Sequence, residues 1–357
     1  MDTFGRKYKV SIFGESHGPA IGVVLDGVPA GIPISEQDFM PDIDRRRSGA
    51  PGTTPRKEAD MPEILSGVYE GHTTGAPLAV IFRNGNTRSQ DYSLFKKIPR
   101  PGHADFVADV KWSGLNDPRG GGHFSGRITL PVVAAGTLAK KILGTGVQVT
   151  ARLVEIGGVT IHEAEKRAGA SNGEYDSQDA SVLWRQELED AASQGDSLGG
   201  VVECVVRGLP VGVGEPFFDS VESMISHAVF SIPGVRGIEF GDGFASARMR
   251  GSQHNDPFVS PDGKCGSNGA GGINGGITNG NPVVFRVAFK PTSSIRKAQN
   301  TLNFATGKTA SLEVPGRHDV CFALRTPVVV EAAAAIAIAD LELIAAADRW
   351  TATADKQ

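Results

Sequence analysis

Cysteine is nearly absent. Cys204, Cys265 and Cys321 are the only three in 357 residues, and no two have CxxC spacing. That argues against a disulfide framework or a zinc knuckle and suits a reducing compartment. A basic excess is also missing. Lysine and arginine number 36 against 40 aspartates and glutamates, a formal net charge of −4. A general nucleic-acid binder needs a basic face, so no nucleic-acid partner is expected. No apolar run follows Arg6, Lys7 and Lys9, so the N-terminus does not read as a signal peptide. The most apolar stretch, Pro327 to Ala347, carries Glu331, Asp340 and Glu342. Carboxylates are too costly in hydrocarbon for this to be a membrane span. No repeat and no Ser/Pro linker divides the chain, so a single domain over residues 1–357 is expected. These absences point to a soluble cytoplasmic protein.

Glycine is plentiful, at 46 residues, with 21 prolines. Together they make about a fifth of the chain, below the roughly 25–30% that marks low complexity. With 40% hydrophobic and 21% charged residues the chain is globular. Strands are expected at Lys9–Phe13, Ile21–Asp26, Leu78–Phe82, Val147–Ile161, Val201–Val206 and Val283–Phe289. Ser35 opens an apparent helix that Pro41 should kink or restart. Val132–Leu143, Ser181–Ser193, Val221–Phe230 and Pro327–Ala347 read as helices. The last is apolar nearly all round and should be buried, with a subunit interface as one place for it. The pattern is α+β, with sheets packed on helices. The long glycine-rich loops between these elements carry His, Arg, Ser and Asn, which favours function there.

Several motifs fail. The dinucleotide pattern G-x-G-x-x-G breaks at Asn274, and the phosphate-loop pattern breaks at Leu302. No H-E-x-x-H and no spaced Cys/His set occurs, so no metal is expected. Gly14-Glu15-Ser16-His17-Gly18 fits G-x-S-x-G, but a nucleophile elbow needs a helix next, and Pro19–Val28 is strand-like. A serine hydrolase using Ser16 and a plain turn between strands both stay open. Arg45-Arg46-Arg47 suits a solvated helix end or anion capture by planar guanidiniums. In Arg100-Pro101-Gly102-His103-Ala104-Asp105 the histidine is either satisfied by backbone or a proton donor. Arg119-Gly120-Gly121-Gly122-His123-Phe124-Ser125-Gly126-Arg127 is a flexible loop or an anion cradle ahead of a helix. Gly263–Asn281 is glycine-dense, and the strand after it runs into Lys290-Pro291-Thr292-Ser293-Ser294, which suits a phosphate. Arg317-His318-Asp319 pairs a cation with a carboxylate. Together these point to a small, multiply anionic ligand.

Taken in order, the motifs resemble the chorismate synthase family from Phe13 to the helix at Pro327. Arg88-Ser89-Gln90-Asp91-Tyr92, Gly195-Asp196-Ser197 and Arg250-Gly251-Ser252-Gln253 add to the likeness. The resemblance implies a β-α-β sandwich, with helices packed between antiparallel sheets, assembled as a homotetramer. It implies the last common step of the shikimate pathway towards aromatic amino acids. In that step 5-enolpyruvylshikimate 3-phosphate loses phosphate by anti 1,4-elimination, with reduced FMN and no net redox change. It implies His17 as proton donor to the departing phosphate, His103 as donor to the flavin, Asp319 as proton acceptor, and Ser16 and Ser125 as relays. Substrate contacts would be Arg46, Arg47, Arg100, Arg127 and Arg317. Flavin contacts would be His123, Phe124, Ser125, Pro233, Gly234, Gly275, Lys290, Pro291, Thr292, Ser293, Ser294 and Arg317. The chain departs from the family at Pro233-Gly234, where Asn-Ala is common, and at His123-Phe124, where Arg-Ser is common. It also departs at Gly126, often Ala, and at Gly52, where some members carry an arginine whose task Arg56 would share. NADPH is a cofactor only if the chain reduces its own flavin. No nicotinamide site is recognisable, so an external flavin reductase is the expected partner. A catalytically inactive flavin- or anion-binding module is the alternative that intact His17, His103 and Asp319 speak against.

Overall fold

The computed structural model describes residues 2–54, 58–85, 93–161, 177–316 and 318–348. Two five-stranded antiparallel sheets dominate. The first runs Thr3–Phe4, Lys9–Gly14, Ala20–Asp26, Leu78–Arg83, Pro62–Ser66 across its width. The second runs Val235–Phe240, Val283–Phe289, Gly200–Arg207, Gln148–Ile156, Val159–Thr160. Strand side chains alternate between faces, so one face of each sheet can be apolar. In Gly200–Arg207 the buried set includes Val202, Cys204 and Val206, and in Val283–Phe289 it includes Val283, Phe285 and Val287, all fully covered.

Helices fill the space between. Thr129–Leu143 lies on the first sheet and Pro327–Asp348 on the second, and the two helices pack on each other. Met40–Arg46 packs on Thr129–Leu143, and Val221–Phe230 packs on Pro327–Asp348. The expected sandwich of helices between antiparallel sheets is therefore the fold. Ser35 precedes a 3-10 turn, Glu36–Phe39, and the α-helix restarts at Met40 with Pro41 in its first turn, where proline costs least. The Val147–Ile161 strand is broken in two by Gly157 and Gly158, both at positive φ. The apolar helix at Pro327 is buried within the chain from Val328 to Leu341, as its composition predicts. No described helix is long and apolar enough to cross a membrane.

The contact between the central helices is set by a missing side chain. A Cβ on Gly136 would stand 2.3 Å from Ala332 Cβ and 2.4 Å from its Cα. Alanine in place of a mid-helix glycine gains about 1 kcal/mol of helix propensity. Overpacking a close-packed seam costs about 1–3 kcal/mol. Because the nearest atoms are backbone and Cβ, neither can swing away, and the cost wins. Gly136→Ala is expected to lower the urea midpoint; an unchanged or higher midpoint would refute the packing argument.

Candidate active site

A cavity of about 1270 Å³ takes its walls from distant parts of the chain. Met40–Arg46 delivers the first cations. Successive residues on a helix point about 100° apart, so three adjacent arginines fan out. Arg45 leaves for Glu331, which it grips with both Nη atoms at 2.7 Å. Arg46 turns into the cavity wall, with Nε 3.2 Å from Thr129 Oγ1 and Nη1 3.6 Å from Asp60 Oδ2. Burial pulls Arg46 down to about 9, against the attraction of Asp60, and it stays cationic at neutral pH. Arg47 pairs with Asp44 and donates to the Ala59 carbonyl. Arg127 pairs with the other oxygen of Asp60 and donates from Nε to Asn84 Oδ1 at 2.9 Å. Asp60 thus bridges two buried arginines, from a backbone position with φ of 49°, uncommon for a residue with a Cβ.

The run from Arg100 to Asp105 folds around one carboxylate. Asp105 Oδ2 accepts from Arg100 Nε at 2.7 Å and from the Arg100 amide at 3.1 Å. Its Oδ1 lies 2.7 Å from both Arg100 Nη2 and His103 Nδ1. Burial opposes ionisation of Asp105, but the hydrogen bonds from Arg100 and His103 outweigh it. They hold its carboxyl far below the usual carboxylate range.

The two candidate catalytic histidines meet at one glycine turn. Gly120, Gly121 and Gly122 all have positive φ. A Cβ on Gly120 would stand 2.6 Å from His17 Nε2, and one on Gly121 would stand 3.6 Å from His103 Nε2. A turn without side chains lets both imidazoles approach the same stretch of backbone. Ser16 is fully buried behind it, with its amide on the Gly122 carbonyl at 3.1 Å. Lys9–Gly14 and Ala20–Asp26 form a hairpin across Ser16, with Gly14 opposite Ile21. No helix follows the serine, so the hydrolase reading fails on geometry. Ser125 Oγ accepts from the Arg127 amide at 3.3 Å, a cap to the next turn.

Asp319 accepts from the Thr54 amide at 2.8 Å and from Arg325 Nη2 at 2.6 Å. Lys290 donates to Ser293 Oγ at 3.0 Å and to the Gly102 carbonyl, and burial lowers its pKa. Phe124, Pro233, Gly234 and Pro291 to Ser294 line the same cavity. His123 also lines it, but its ring nitrogens are engaged by the Gly14 carbonyl at 2.7 Å and Asp2 at 3.2 Å. Gly275 stands exposed in the turn between Ile273–Asn274 and Ile277–Thr278, outside the cavity lining. Arg317, Arg56 and the run Arg88–Tyr92 lie outside the described residues. Gly52 packs at Leu324 and Leu188. Sequence reasoning missed Asp60, Asn84 and Arg325 altogether and gave Asp105 no role. Only Asp105 had a readable signal, its place within two residues of His103. Among the described residues no group of His, Cys, Asp and Glu could hold a metal.

The comparisons with known proteins bear on this arrangement directly. The family model described as chorismate synthase matches residues 8–343. The chain belongs to the chorismate synthase family. That places it among the carbon–oxygen lyases acting on phosphates, in the shikimate pathway. A chorismate synthase of Chitinophaga pinensis is 57% identical over 344 residues, covering 96% of this chain and 97% of the relative. One from Korarchaeum cryptofilum is 47% identical over 348 residues, covering 95% and 96%. A crystal structure of chorismate synthase superposes with a TM-score of 0.70 at 27% identity, covering 96% of this chain and 93% of that one.

Two outcomes test the geometry. Gly120→Ala drives a Cβ into His17, and a displaced reacting group can cost about 10²-fold. Its kcat for phosphate release is expected to fall by about that factor with the far-UV spectrum unchanged; wild-type kcat would refute the close approach. His318 supplies a pH test. Burial and the cation Arg100 lower its pKa from 6.5, with the Pro315 backbone and Asp319 opposing. The unfolded chain therefore takes up this proton first. The stability His318 contributes is complete above pH 6.5 and is lost as pH falls below it. Between about pH 7 and pH 5, either side of the ordinary histidine range, wild type should lose more urea resistance than His318→Gln. Equal losses would mean that the folded imidazole protonates normally.

Proposed function

We propose that this cavity holds 5-enolpyruvylshikimate 3-phosphate beside reduced FMN and carries out the anti 1,4-elimination that yields chorismate and phosphate. The observation that carries the reading is the pair of imidazoles on one glycine turn, inside a cluster of buried arginines. The substrate has a phosphate and two carboxylates. Arg46, Arg47, Arg100 and Arg127 line the cavity and present planar forks suited to such groups, and family likeness adds Arg317. His17 protonates the departing phosphate, where charge develops on the leaving oxygens. His103 is the second proton donor. Asp319, oriented by the Thr54 amide and Arg325, is the proton acceptor. Ser16 and Ser125 relay protons.

The residues present fit a flavin. Thr292 Oγ1 is buried without a hydrogen-bond partner among the described residues, and it lines the same cavity as Lys290. The volume of about 1270 Å³ exceeds the roughly 300–1,000 Å³ usual for one small ligand. Phe124, Ser125, Pro233, Gly234 and the run Lys290 to Ser294 would hold it, with His123 and Arg317 added by family likeness. Held by these residues, reduced FMN would supply the electron chemistry of the elimination, with no net redox change. Family likeness also supports a homotetramer and a cytoplasmic enzyme.

Phosphate and chorismate release should be followed anaerobically with dithionite-reduced FMN, with oxidised FMN as control. Turnover is expected only with reduced flavin. Bound FMN without turnover would replace the lyase by a binding module. A third arm with NADPH and oxidised FMN is expected to stay silent until a flavin reductase is added. Turnover there without one would make the chain its own reductase.

A further inference from the structure

We infer that Asp105 is a positioning residue that sets the ring of His103 and the fork of Arg100 at once, so that proton donor and anion anchor share one carboxylate. The inference rests on the lyase reading for its kinetic part and on geometry alone for the rest.

Two residues converge on this side chain through four contacts. Arg100 approaches edge-on, through Nε on one oxygen and Nη2 on the other, both at 2.7 Å. That bidentate pair leaves the guanidinium little freedom. The remaining arm, Nη1, reaches Ser294 Oγ at 3.1 Å, and the guanidinium carbon lies 4.6 Å from the centre of the Phe95 ring. His103 adds its Nδ1 to the oxygen that already receives Arg100 Nη2. Side-chain exposure is 9% for Asp105 and 6% for Arg100, so water does not compete freely for these bonds.

The arrangement also decides which imidazole nitrogen carries the proton. Arg100 Nη2 lies 3.1 Å from His103 Nδ1. Without an acceptor nearby, that guanidinium would donate to Nδ1 and force the neutral ring into the Nε2–H form. With Asp105 Oδ1 at 2.7 Å, Nδ1 holds the proton and donates it to the carboxylate. Nε2 is then the nitrogen left facing the glycine turn, free to pass a proton to or from the cavity. Asp105 stays ionised through the working range, as its depressed pKa requires for this role. The logic is that of a carboxylate orienting a histidine, extended here to a second client.

Two measurements test it. The first uses the wild-type protein and no turnover. Imidazole ¹⁵N shifts of His103, assigned by their absence in His103→Gln, should report the Nδ1–H tautomer of the neutral ring. The Nε2–H tautomer would overturn the assignment. The second is kinetic. Asp105→Asn should lower kcat by about 10–100-fold, the usual cost of removing an orienting partner, and should also raise KM. On a His103→Gln background the same change should leave kcat within about twofold, since members of one unit are not additive. Full additivity with His103→Gln, or unchanged kcat and KM in Asp105→Asn, would reject a positioning role. If wild type itself releases no phosphate, the lyase reading fails, and the tautomer measurement still judges Asp105.

Discussion

Two carboxylates lie on the helix that runs through the middle of the molecule, where an unpaired charge would be most costly. Glu331 is 2% exposed and Asp340 is fully buried. A buried carboxylate is tolerated only with its acceptor sites filled. Glu331 is filled by Arg45, Lys140 and the Ala151 amide. Asp340 is filled by the amides of Arg6, Lys7 and Tyr8. Each set reaches an arm of the site. Through Arg45, Glu331 fixes the short helix that carries Arg46. Through Arg6 to Tyr8, Asp340 fixes the strand that ends in the turn of Ser16 and His17. Anion pocket and histidine thus take their positions from the same central rod.

The cavity is rich in arginine, yet the chain is slightly acidic, and the pairing explains how. Arg46 and Arg127 share Asp60, Arg100 has Asp105, and Arg325 has Asp319. The forks are held in place before any ligand arrives. Such preorganisation spares the reaction the cost of gathering dipoles and charges at the moment of need.

Much of this was legible in the residues. The helix Val221–Phe230 and the strand Val283–Phe289 have the bounds expected from composition; in the structure Ser220 caps the first, and the second alternates between buried and more open positions. The strands Pro62–Ser66 and Val235–Phe240 were not anticipated. Both are sheet edges with a register shift, so a neighbour across the ladder defines them more than their own composition does. The glycine turn and both histidines stood out in sequence, since those residue types are chosen for chemistry and backbone freedom. Their carboxylate partners did not. Asp60 owes its role to Arg127, 67 residues away, and nothing near Asp60 announces that meeting. Glu331 and Asp340 were read only as obstacles to a membrane span, and their structural work depends wholly on distant donors.

The bond between Asp340 and the Arg6 amide joins positions 334 residues apart. On a ribosome, the strand leading to Ser16 and His17 emerges long before the helix that fixes it. The histidine arm of the site therefore waits for a carboxylate added 334 residues after Arg6. Contacts of such separation carry a loop-closure cost that is met late, and they slow folding. A chain halted before Pro327 would hold both histidines and every glycine of the turn, yet it would lack the rod that brings them into register.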